Sequence, residues 1–402
     1  MYSKKAHIHF VGIGGIGMSG IATILKQQGY EISGCDQDTD QTSIINLKKL
    51  GCVVYEGNNT PHCQSSNIDI LVYSSAIRHH NPEIVHAQER GIPTIPRALM
   101  LAELMRTKYS IAIAGSHGKT TTTSLISHIL IESGIDPTVI IGGHLKNISH
   151  NARMGQGDFL VAEADESDKS IEKLHPTLAL ITNIDLEHLE TYQNLDDIKT
   201  TFKKFLDNIP FYGKAFLCAD DTQIQNLWAD LTHIKKISYG IDNHADIYGT
   251  KIVLYEDYST FEVIQTRTLT HLGTIHLNMP GKHNVLNALG AIAVSLDLGI
   301  SFSNIQKALL SFNGIDRRFT YKGTFNGAEF YDDYGHHPIE IYNTLLVARK
   351  KSKNKLIVLF QPHRYSRTDK LWQHFIETFR NSTIDQLIIT DIYPQAKLLS
   401  LK

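Results

Sequence analysis

Short apolar runs alternate with longer amphipathic stretches along most of the chain. His7–Val11 predicts a first strand, and apolar residues at helical spacing from Met18 to Leu25 predict a helix that ends at Gly29. Further apolar runs predict strands at 31–34, 69–73, 110–114, 159–162 and 178–182. Such alternation is typical of α/β domains built on mostly parallel sheets.

The segment 248–277 departs from this alternation because it is rich in Thr, Val and Tyr, which favour strands. We predict antiparallel strands at a sheet edge there, followed by a helix after Gly281. A last α/β cycle begins near Arg317, with strands predicted at 325–331, 356–360 and 387–390. A doubly wound sheet has roughly five or six strands. We therefore expect a short, loosely packed and aggregation-prone third domain with an unpaired edge.

We predict that each new α/β cycle begins a new domain. The 402 residues then divide into three predicted domains, 1–106, 107–316 and 317–402. Apolar residues make up 42% of the chain, enough for more than one core, and exclude a disordered chain. The net charge of −2 gives no overall basic surface for nucleic acid or an anionic membrane. No apolar run approaches the roughly 18 residues of a membrane span. We expect no nucleic acid or membrane partner, and we leave monomer and homodimer open.

The chain has four cysteines: Cys35, Cys52, Cys63 and Cys218. They form no C-x-x-C pair, which argues against a zinc site. We interpret them as free thiols in a reducing compartment, which predicts a cytoplasmic protein.

A glycine loop follows the first predicted strand and opens the first predicted helix. Gly12, Gly14, Gly15 and Gly17 match G-x-G-x-x-G. Glycines let the backbone approach a diphosphate, and the helix N-terminus supplies amides and a positive dipole. Asp36 ends the second strand, where a ribose-binding acid is expected. The loop predicts a dinucleotide or nucleotide diphosphate; the alternative is a tight turn without a ligand.

A second glycine loop lies between the strand at 110–114 and the next helix. It contains Gly115, Ser116, His117, Gly118, Lys119 and Thr120. Its amides would wrap the phosphates, Lys119 would meet the β/γ oxygens, and the Thr120 hydroxyl would take Mg²⁺. Threonines 120–123 open a helix poorly, so we expect their hydroxyls at the phosphates.

Carboxylates follow the strand at 159–162, namely Glu163, Asp165, Glu166 and Asp168. Ligands bind at the carboxyl end of parallel strands, and Mg²⁺ favours one or two carboxylates plus phosphate oxygens. At least one of these side chains is therefore a predicted metal ligand. His188 follows the next strand of the same sheet, and we assign it a role at this edge.

Two nucleotide loops in successive domains imply two phosphorylated ligands, and hence a kinase or ligase acting on a nucleotide-linked substrate. The motifs that bear on the family occur in the order VGIGGIGMSGIA, AGSHGKTTTTSL, AEADESD, TNIDLEHLETY, GKHNVLNALGA, GIDRRF, DDYGHHP and FQPHRYSRT. Together they resemble the Mur ligases over residues 7–394. The resemblance implies three α/β domains: a Rossmann-like first domain, a P-loop ATPase-like central domain and an incomplete Rossmann-like third domain.

The resemblance also implies roles for individual residues. ATP would contact Gly115, Ser116, His117, Gly118, Lys119, Thr120 and Thr121 in the loop, then Asn284, Asn287, Arg318 and Asp333. Magnesium would be held by Thr120, Glu163 and His188, and the catalytic residues would be Lys119, Glu163 and His188. Substrate residues would be Gly12, Gly14, Gly15, Gly17, Asp36, Ser74, Tyr334, His336, Arg364 and Arg367.

The GIGGIGMSG and PHRYSRT motifs favour the family member that joins L-alanine to UDP-N-acetylmuramate. The implied reaction uses ATP and Mg²⁺ to phosphorylate the lactyl carboxylate, and the alanine amine then attacks the acyl phosphate. Arg364 and Arg367 would hold the carboxylate of the amino acid.

The chain departs from the family pattern at Ser116, where Thr is more common, and after 391–394, where it diverges and ends. We therefore expect a truncated third domain and weak ligation. Alternatives are a nicotinamide-dependent dehydrogenase using the first loop, a non-catalytic nucleotide-binding protein, and the related ligase that attaches a recycled tripeptide.

Overall fold

The structure is a computed structural model that describes residues 5–57, 67–142, 151–188, 190–315 and 317–393. These residues form three α/β units that follow one another along the chain. The alternation of apolar runs and amphipathic stretches therefore predicts the fold class correctly.

The N-terminal unit is a five-stranded parallel sheet with the order β3-β2-β1-β4-β5. Its strands are β1 (His7–Val11), β2 (Glu31–Asp36), β3 (Val53–Glu56), β4 (Ile70–Tyr73) and β5 (Thr94–Pro96). Its helices are α1 (Ile16–Gln27), α2 (Thr42–Lys49), α3 (Pro82–Glu89) and α4 (Arg97–Met105). In a sheet of this order a ligand binds between the ends of β1 and β4, where the strand order reverses.

The central unit is a ten-stranded sheet with the order β15-β14-β13-β12-β11-β10-β6-β9-β7-β8. Its strands are β6 (Tyr109–Ala114), β7 (Thr138–Ile140), β8 (Ala152–Arg153), β9 (Phe159–Glu163), β10 (Leu178–Ile181), β11 (Lys214–Cys218), β12 (Lys235–Gly240), β13 (Ile247–Leu254), β14 (Ser259–Gln265) and β15 (Thr270–Leu277). Its helices are α5 (Lys119–Glu132), α6 (Leu195–Asp207), α7 (Thr222–Trp228), α8 (Lys282–Asp297) and α9 (Phe302–Ser311). The antiparallel strands predicted for 248–277 form one edge of the sheet, and the helix predicted after Gly281 is α8.

The C-terminal unit contains two separate two-stranded sheets. Its elements are β16 (Thr320–Phe325), β17 (Ala328–Asp332), α10 (Pro338–Lys351), β18 (Ile357–Phe360), α11 (Tyr365–Lys370), α12 (Trp372–Asn381) and β19 (Gln386–Ile389). The single strand predicted at 325–331 is wrong, because the chain reverses at Asn326 and Gly327 and forms the β16–β17 hairpin. In the part of the chain that the structure describes, β18 and β19 pair in parallel with each other alone.

One hydrophobic core joins the N-terminal and central units. Helix α1 lies against β8, and the Asn151 side chain donates to the Ser19 hydroxyl over 3.0 Å. The C-terminal unit has a small core of its own, made of Ile341, Leu345, Phe360, Leu371 and Phe375. Contacts between Lys351 and Asp257 join this unit to the central one.

Two further sequence predictions concern cysteines and membranes. Cys35, Cys52 and Cys218 are buried, none of these three forms a disulfide, and Cys63 lies outside the described residues. Within the described ranges, no helix combines the length and the apolar character needed to cross a membrane.

Candidate functional site

The first glycine loop connects β1 to α1 at the carboxyl edge of the N-terminal sheet. Gly12 has φ +80°, which disfavours other residues, and its amide donates to the Cys35 carbonyl over 2.9 Å. The Gly14 amide donates to Asp36 Oδ2 over 2.8 Å. Asp36 thus holds the loop in this structure, and its ribose contact remains a prediction. Ser74 lies beside Gly12, where an added Cβ would come within 3.3 Å of the Ser74 Cβ.

Arg97 connects this first loop to the acidic run of the central unit. A Cβ added at Gly17 would lie 2.7 Å from Arg97 Nη1, so the guanidinium lies against the start of α1. Arg97 Nη2 pairs with Asp165 Oδ2 at 3.1 Å. Burial raises the pKa of Asp165, but Arg97 and Lys119 outweigh it and lower the pKa to about 2. Asp165 is therefore an ion-pair partner of Arg97, which the sequence did not indicate.

The second glycine loop connects β6 to α5 and is held by residues that follow β10. The His117 amide donates to Asn183 Oδ1 over 2.8 Å, and Asn183 Nδ2 donates to the His117 carbonyl over 3.0 Å. The Thr182 hydroxyl donates to the same carbonyl over 2.6 Å. Gly118 has φ +82° and directly precedes α5, so the loop leads into a helix N-terminus, where the first amides have no partner within the helix.

Lys119 lies over its own loop at the centre of a group of carboxylates. Its Nζ donates to the carbonyls of Gly115 and Ser116 over 2.5 and 3.1 Å, and to Glu166 Oε1 over 2.8 Å. Burial would lower the pKa of Lys119, but Glu166 and Glu187 dominate and raise it. Lys119 is therefore held in its charged form above the second glycine loop.

The four threonines of α5 do not share one role. The Thr120 hydroxyl donates to Glu163 Oε2 over 2.9 Å, and Thr121 lines the large cavity described below. Thr122 and Thr123 are fully buried. The prediction that all four hydroxyls reach the phosphates is therefore wrong. Successive residues of a helix are rotated by about 100°, so a run of four cannot face one ligand.

A compact group of carboxylates and an imidazole lies beside Lys119. Glu166, Glu187 and His188 each offer a ligand atom, and these atoms lie within 4.8 Å of one another. His188 Nε2 lies 3.3 Å from Glu166 Oε1 and 3.7 Å from Glu187 Oε2. Glu163 also accepts from the Gly142 amide over 3.1 Å. Asp168 is exposed and accepts from the Ser170 amide instead.

Oxygen and nitrogen donors of this kind fit a hard divalent cation such as Mg²⁺. Burial raises the pKa of Glu163, which Lys119 and Thr120 only partly oppose, and the pKa of Glu187 is raised for the same reason. A buried carboxylate in this state gains from a bound cation. Glu187 was not predicted as a site residue, although it lies inside the TNIDLEHLETY motif.

A cavity of about 910 Å³ opens beside the second loop, between the central and C-terminal units. This volume falls within the usual range of ligand pockets. Seven of the residues predicted to bind ATP line it, namely His117, Gly118, Thr121, Asn284, Asn287, Arg318 and Asp333. The structure therefore brings together loop, helix and C-terminal residues that are distant in the sequence.

The predicted acceptor residues lie together in the C-terminal unit. Tyr334 lies beneath the Arg318 guanidinium at 5.9 Å, and its ring centroid is 5.2 Å from that of His336. Arg364 has φ +70°, a left-handed conformation that a residue other than glycine rarely adopts. Arg364 Nε and Arg367 Nη1 are buried, and neither atom has a hydrogen-bond partner among the described residues. Such donors are expected to meet an anion.

The sequence matches family profiles over almost its whole length. They are the Mur ligase family catalytic domain over residues 7–109, the Mur ligase middle domain over 113–295, and the Mur ligase glutamate ligase domain over 317–400. The chain is a Mur ligase. It is therefore an ATP-dependent ligase with the three-domain α/β architecture of that family.

Individual Mur ligases are similar to this chain over most of its length. UDP-N-acetylmuramate–L-alanine ligase of Geotalea daltonii is 50% identical over 394 residues, 98% of this chain and 84% of the relative. The crystal structure of UDP-N-acetylmuramate-alanine ligase from Thermotoga maritima is similar with a TM-score of 0.81 and 30% identity, covering 96% of this chain and 86% of that chain. A murein peptide ligase from Psychrobacter arcticus gives a TM-score of 0.76 at 25% identity, covering 96% of this chain and 91% of that chain.

Proposed function

We propose that this Mur ligase joins L-alanine to the lactyl carboxylate of UDP-N-acetylmuramate in the cytoplasm, as a step of peptidoglycan synthesis. The observation that carries the proposal is 50% identity, over 98% of the chain, to a ligase named for these two substrates. The arrangement of the first glycine loop supports it, because Arg97 lies against the start of α1 and pairs with Asp165 in the acidic run that follows β9.

Each ligand has a matching group of residues. The amides of the first loop and the start of α1 bind the diphosphate of the sugar nucleotide, and the large cavity binds ATP. Thr120, Glu163 and His188 hold Mg²⁺, together with Glu166 and Glu187. Bound Mg²⁺ supplies positive charge that offsets the repulsion between carboxylate and triphosphate.

The residues of the chain then position the reacting groups. The lactyl carboxylate oxygen bonds to the γ-phosphorus while the bond from γ-phosphorus to ADP breaks, and Lys119 stabilises the charge on the phosphoryl oxygens. The alanine amine next bonds to the acyl carbon. Phosphate leaves with its electron pair, and the amine releases a proton. Arg364 and Arg367 hold the alanine carboxylate through Nε and Nη1, the buried donors that have no hydrogen-bond partner in the described part of the chain.

Phosphate release from ATP tests this function. The chain should release phosphate from ATP when UDP-N-acetylmuramate and L-alanine are both present. Phosphate release with L-Ala-γ-D-Glu-meso-diaminopimelate, but with none of the single amino acids, would instead assign the chain to peptide recycling. ATP binding without release in any mixture would make it a non-catalytic nucleotide-binding protein.

Glu163→Gln should raise the magnesium concentration at half-maximal rate by about tenfold, because the amide keeps the shape of the side chain but loses its charge. A magnesium titration of initial rates measures this change. Asp168→Asn is the matched control, since its carboxylate belongs to the same acidic run but is exposed. Equal curves for both variants would contradict the assignment of Glu163.

Arg364→Lys should raise the KM for L-alanine by about tenfold, because the ammonium lacks the planar pair of donors that grips a carboxylate. The KM for ATP should change by less than about twofold, since lost ground-state binding appears in the KM of the affected substrate. Arg380→Lys, at an exposed position of α12, is the control. Equal increases for both substrates would count against an amino-acid role.

A further inference from the structure

We propose that Glu340 is a positioning residue that links the C-terminal unit to the phosphate loop through the side chain of His117. The inference rests on the proposed function only in taking the second glycine loop as the ATP site. No role was predicted for Glu340 from the sequence.

The His117 ring lies between carboxylates of two different units. Its Nε2 lies 3.1 Å from Asp185 Oδ2, in the segment that follows β10 of the central unit. Its Nδ1 lies 3.6 Å from Glu340 Oε1, in the first turn of α10 of the C-terminal unit. Both ring nitrogens therefore face an acceptor, an arrangement that suits a protonated imidazole.

The charges in this group support that state. Burial lowers the pKa of His117, but Asp185 and Glu340 outweigh it and raise the pKa to about 10. Burial raises the pKa of Glu340, but His117, His336 and Arg318 outweigh this effect and hold the pKa well below its usual range. The His337 ring packs against His117 at 4.8 Å, and burial with the nearby His117 cation lowers the pKa of His337 to about 3. Of the two neighbouring rings, which are tilted by 38° to each other, His117 thus carries the charge.

The two oxygens of Glu340 have different tasks. Oε2 accepts from the amides of His336 and His337, over 3.1 and 3.4 Å, and so caps the start of α10. Oε1 faces His117 and also lies 3.8 Å from Arg318 Nη1. A cap needs only one acceptor, so the second oxygen is available to the phosphate loop.

The contact has a direct route to the phosphates. The backbone of His117 is held by Asn183 on one side, and the next residues, Gly118 and Lys119, open α5. Arg318, which lines the cavity beside the second loop, and His336, a predicted acceptor residue, adjoin the same carboxylate. Glu340 therefore ties the loop that binds ATP to the unit that binds the amino acid.

Glu340→Gln separates the two tasks, because the amide oxygen can still cap α10 while the charge opposite His117 is lost. His117→Asn removes the same contact from the loop side without touching the cap. We expect each single variant to lower kcat by about tenfold. The kcat of the double variant should lie no more than about twofold below that of the less active single variant. Thermal midpoints of the variants should separate a capping defect in α10 from the loss of the contact between Glu340 and His117. Glu377→Gln, at an exposed position of α12, is the control.

The wild type, the two single variants and the double variant form a double-mutant cycle. The same four proteins are compared for ADP affinity by calorimetry, which needs no acceptor substrate. A wild-type chain that fails to ligate L-alanine would contradict the proposed function, while a non-additive cycle in ADP affinity would still support the link. If the fold-changes of the two single variants multiply in the double variant, for both kcat and ADP affinity, the link between Glu340 and His117 would be overturned. A Glu340→Gln variant with wild-type kcat and ADP affinity would do the same.

Discussion

Lys119→Ala is expected to lower kcat by more than about a hundredfold, the usual effect of removing one donor from a developing charge. The structure gives the reason, since Nζ lies among Glu163, Glu166 and Glu187 and is held as a cation over the loop carbonyls. Without the ammonium, this part of the site presents carboxylates alone to the triphosphate. Single-turnover phosphate release measures the effect on the first chemical step.

Lys108→Ala is the matched control for this prediction. Lys108 Nζ donates to the carbonyls of Gly155 and Gly157 and to the Thr138 hydroxyl, away from the nucleotide cavity. Its loss should lower stability and leave kcat per folded molecule near that of the wild type. A Lys119→Ala variant that keeps more than about a tenth of wild-type kcat, roughly 1.4 kcal/mol, would remove Lys119 from the mechanism.

Gly115→Ala should abolish ATP binding and destabilise the central unit. Gly115 has φ +130°, and an added Cβ would collide with the Thr182 hydroxyl and lie 3.0 Å from the backbone nitrogen of Thr182 and the Asn183 carbonyl oxygen. Strain and overpacking each cost about 1–3 kcal/mol, and backbone atoms cannot rotate away as a flexible side chain can. Thermal unfolding and ATP calorimetry measure the two consequences.

Gly134→Ala provides the comparison for this variant. Gly134 has φ +77°, but nothing lies within 4 Å of an added Cβ. It therefore carries the conformational strain without the collision, and ATP affinity should stay unchanged. If Gly115→Ala resembles Gly134→Ala in both measurements, the close approach of the loop to β10 is not required for ATP binding.

Local patterns predicted β1, β2, β4, β6, β9 and β10, the helices α1, α5 and α8, and both glycine loops, because a strand followed by glycines and a helix is specified within a few residues. The strands β3, β5, β7, β8, β11 and β12 were not predicted. The hairpin at Asn326 and Gly327 was missed, although Asn-Gly is a strong turn signal. The signal is strong because a two-residue hairpin turn needs positive φ at both positions, and both residues adopt positive φ here. The roles of Thr122 and Thr123 were misassigned because residue type alone does not give the face of a helix.

Contacts between distant segments were beyond the reach of the sequence. Asp165 is one of four nearby carboxylates, and only the fold shows that Arg97 of α4 pairs with it. The link between His117 and Glu340 likewise joins two units whose packing no local pattern encodes. The family resemblance thus assigned Arg318 and Asp333 of the C-terminal unit to the candidate site, whereas the pairing of Arg97 with Asp165 and of Glu340 with His117 was not predicted.

The strand order of the central sheet has a consequence for how the chain folds. Strands β13, β14 and β15 are neighbours in the sequence and in the sheet, so short connections close their antiparallel pairs. Strand β6, which carries the phosphate loop, instead lies between β9 and β10, which come later in the chain. Closing such long connections costs more chain entropy and is slower than closing local hairpins. We therefore expect β6 to complete its pairing after the edge meander, and the second glycine loop to be ordered late in folding.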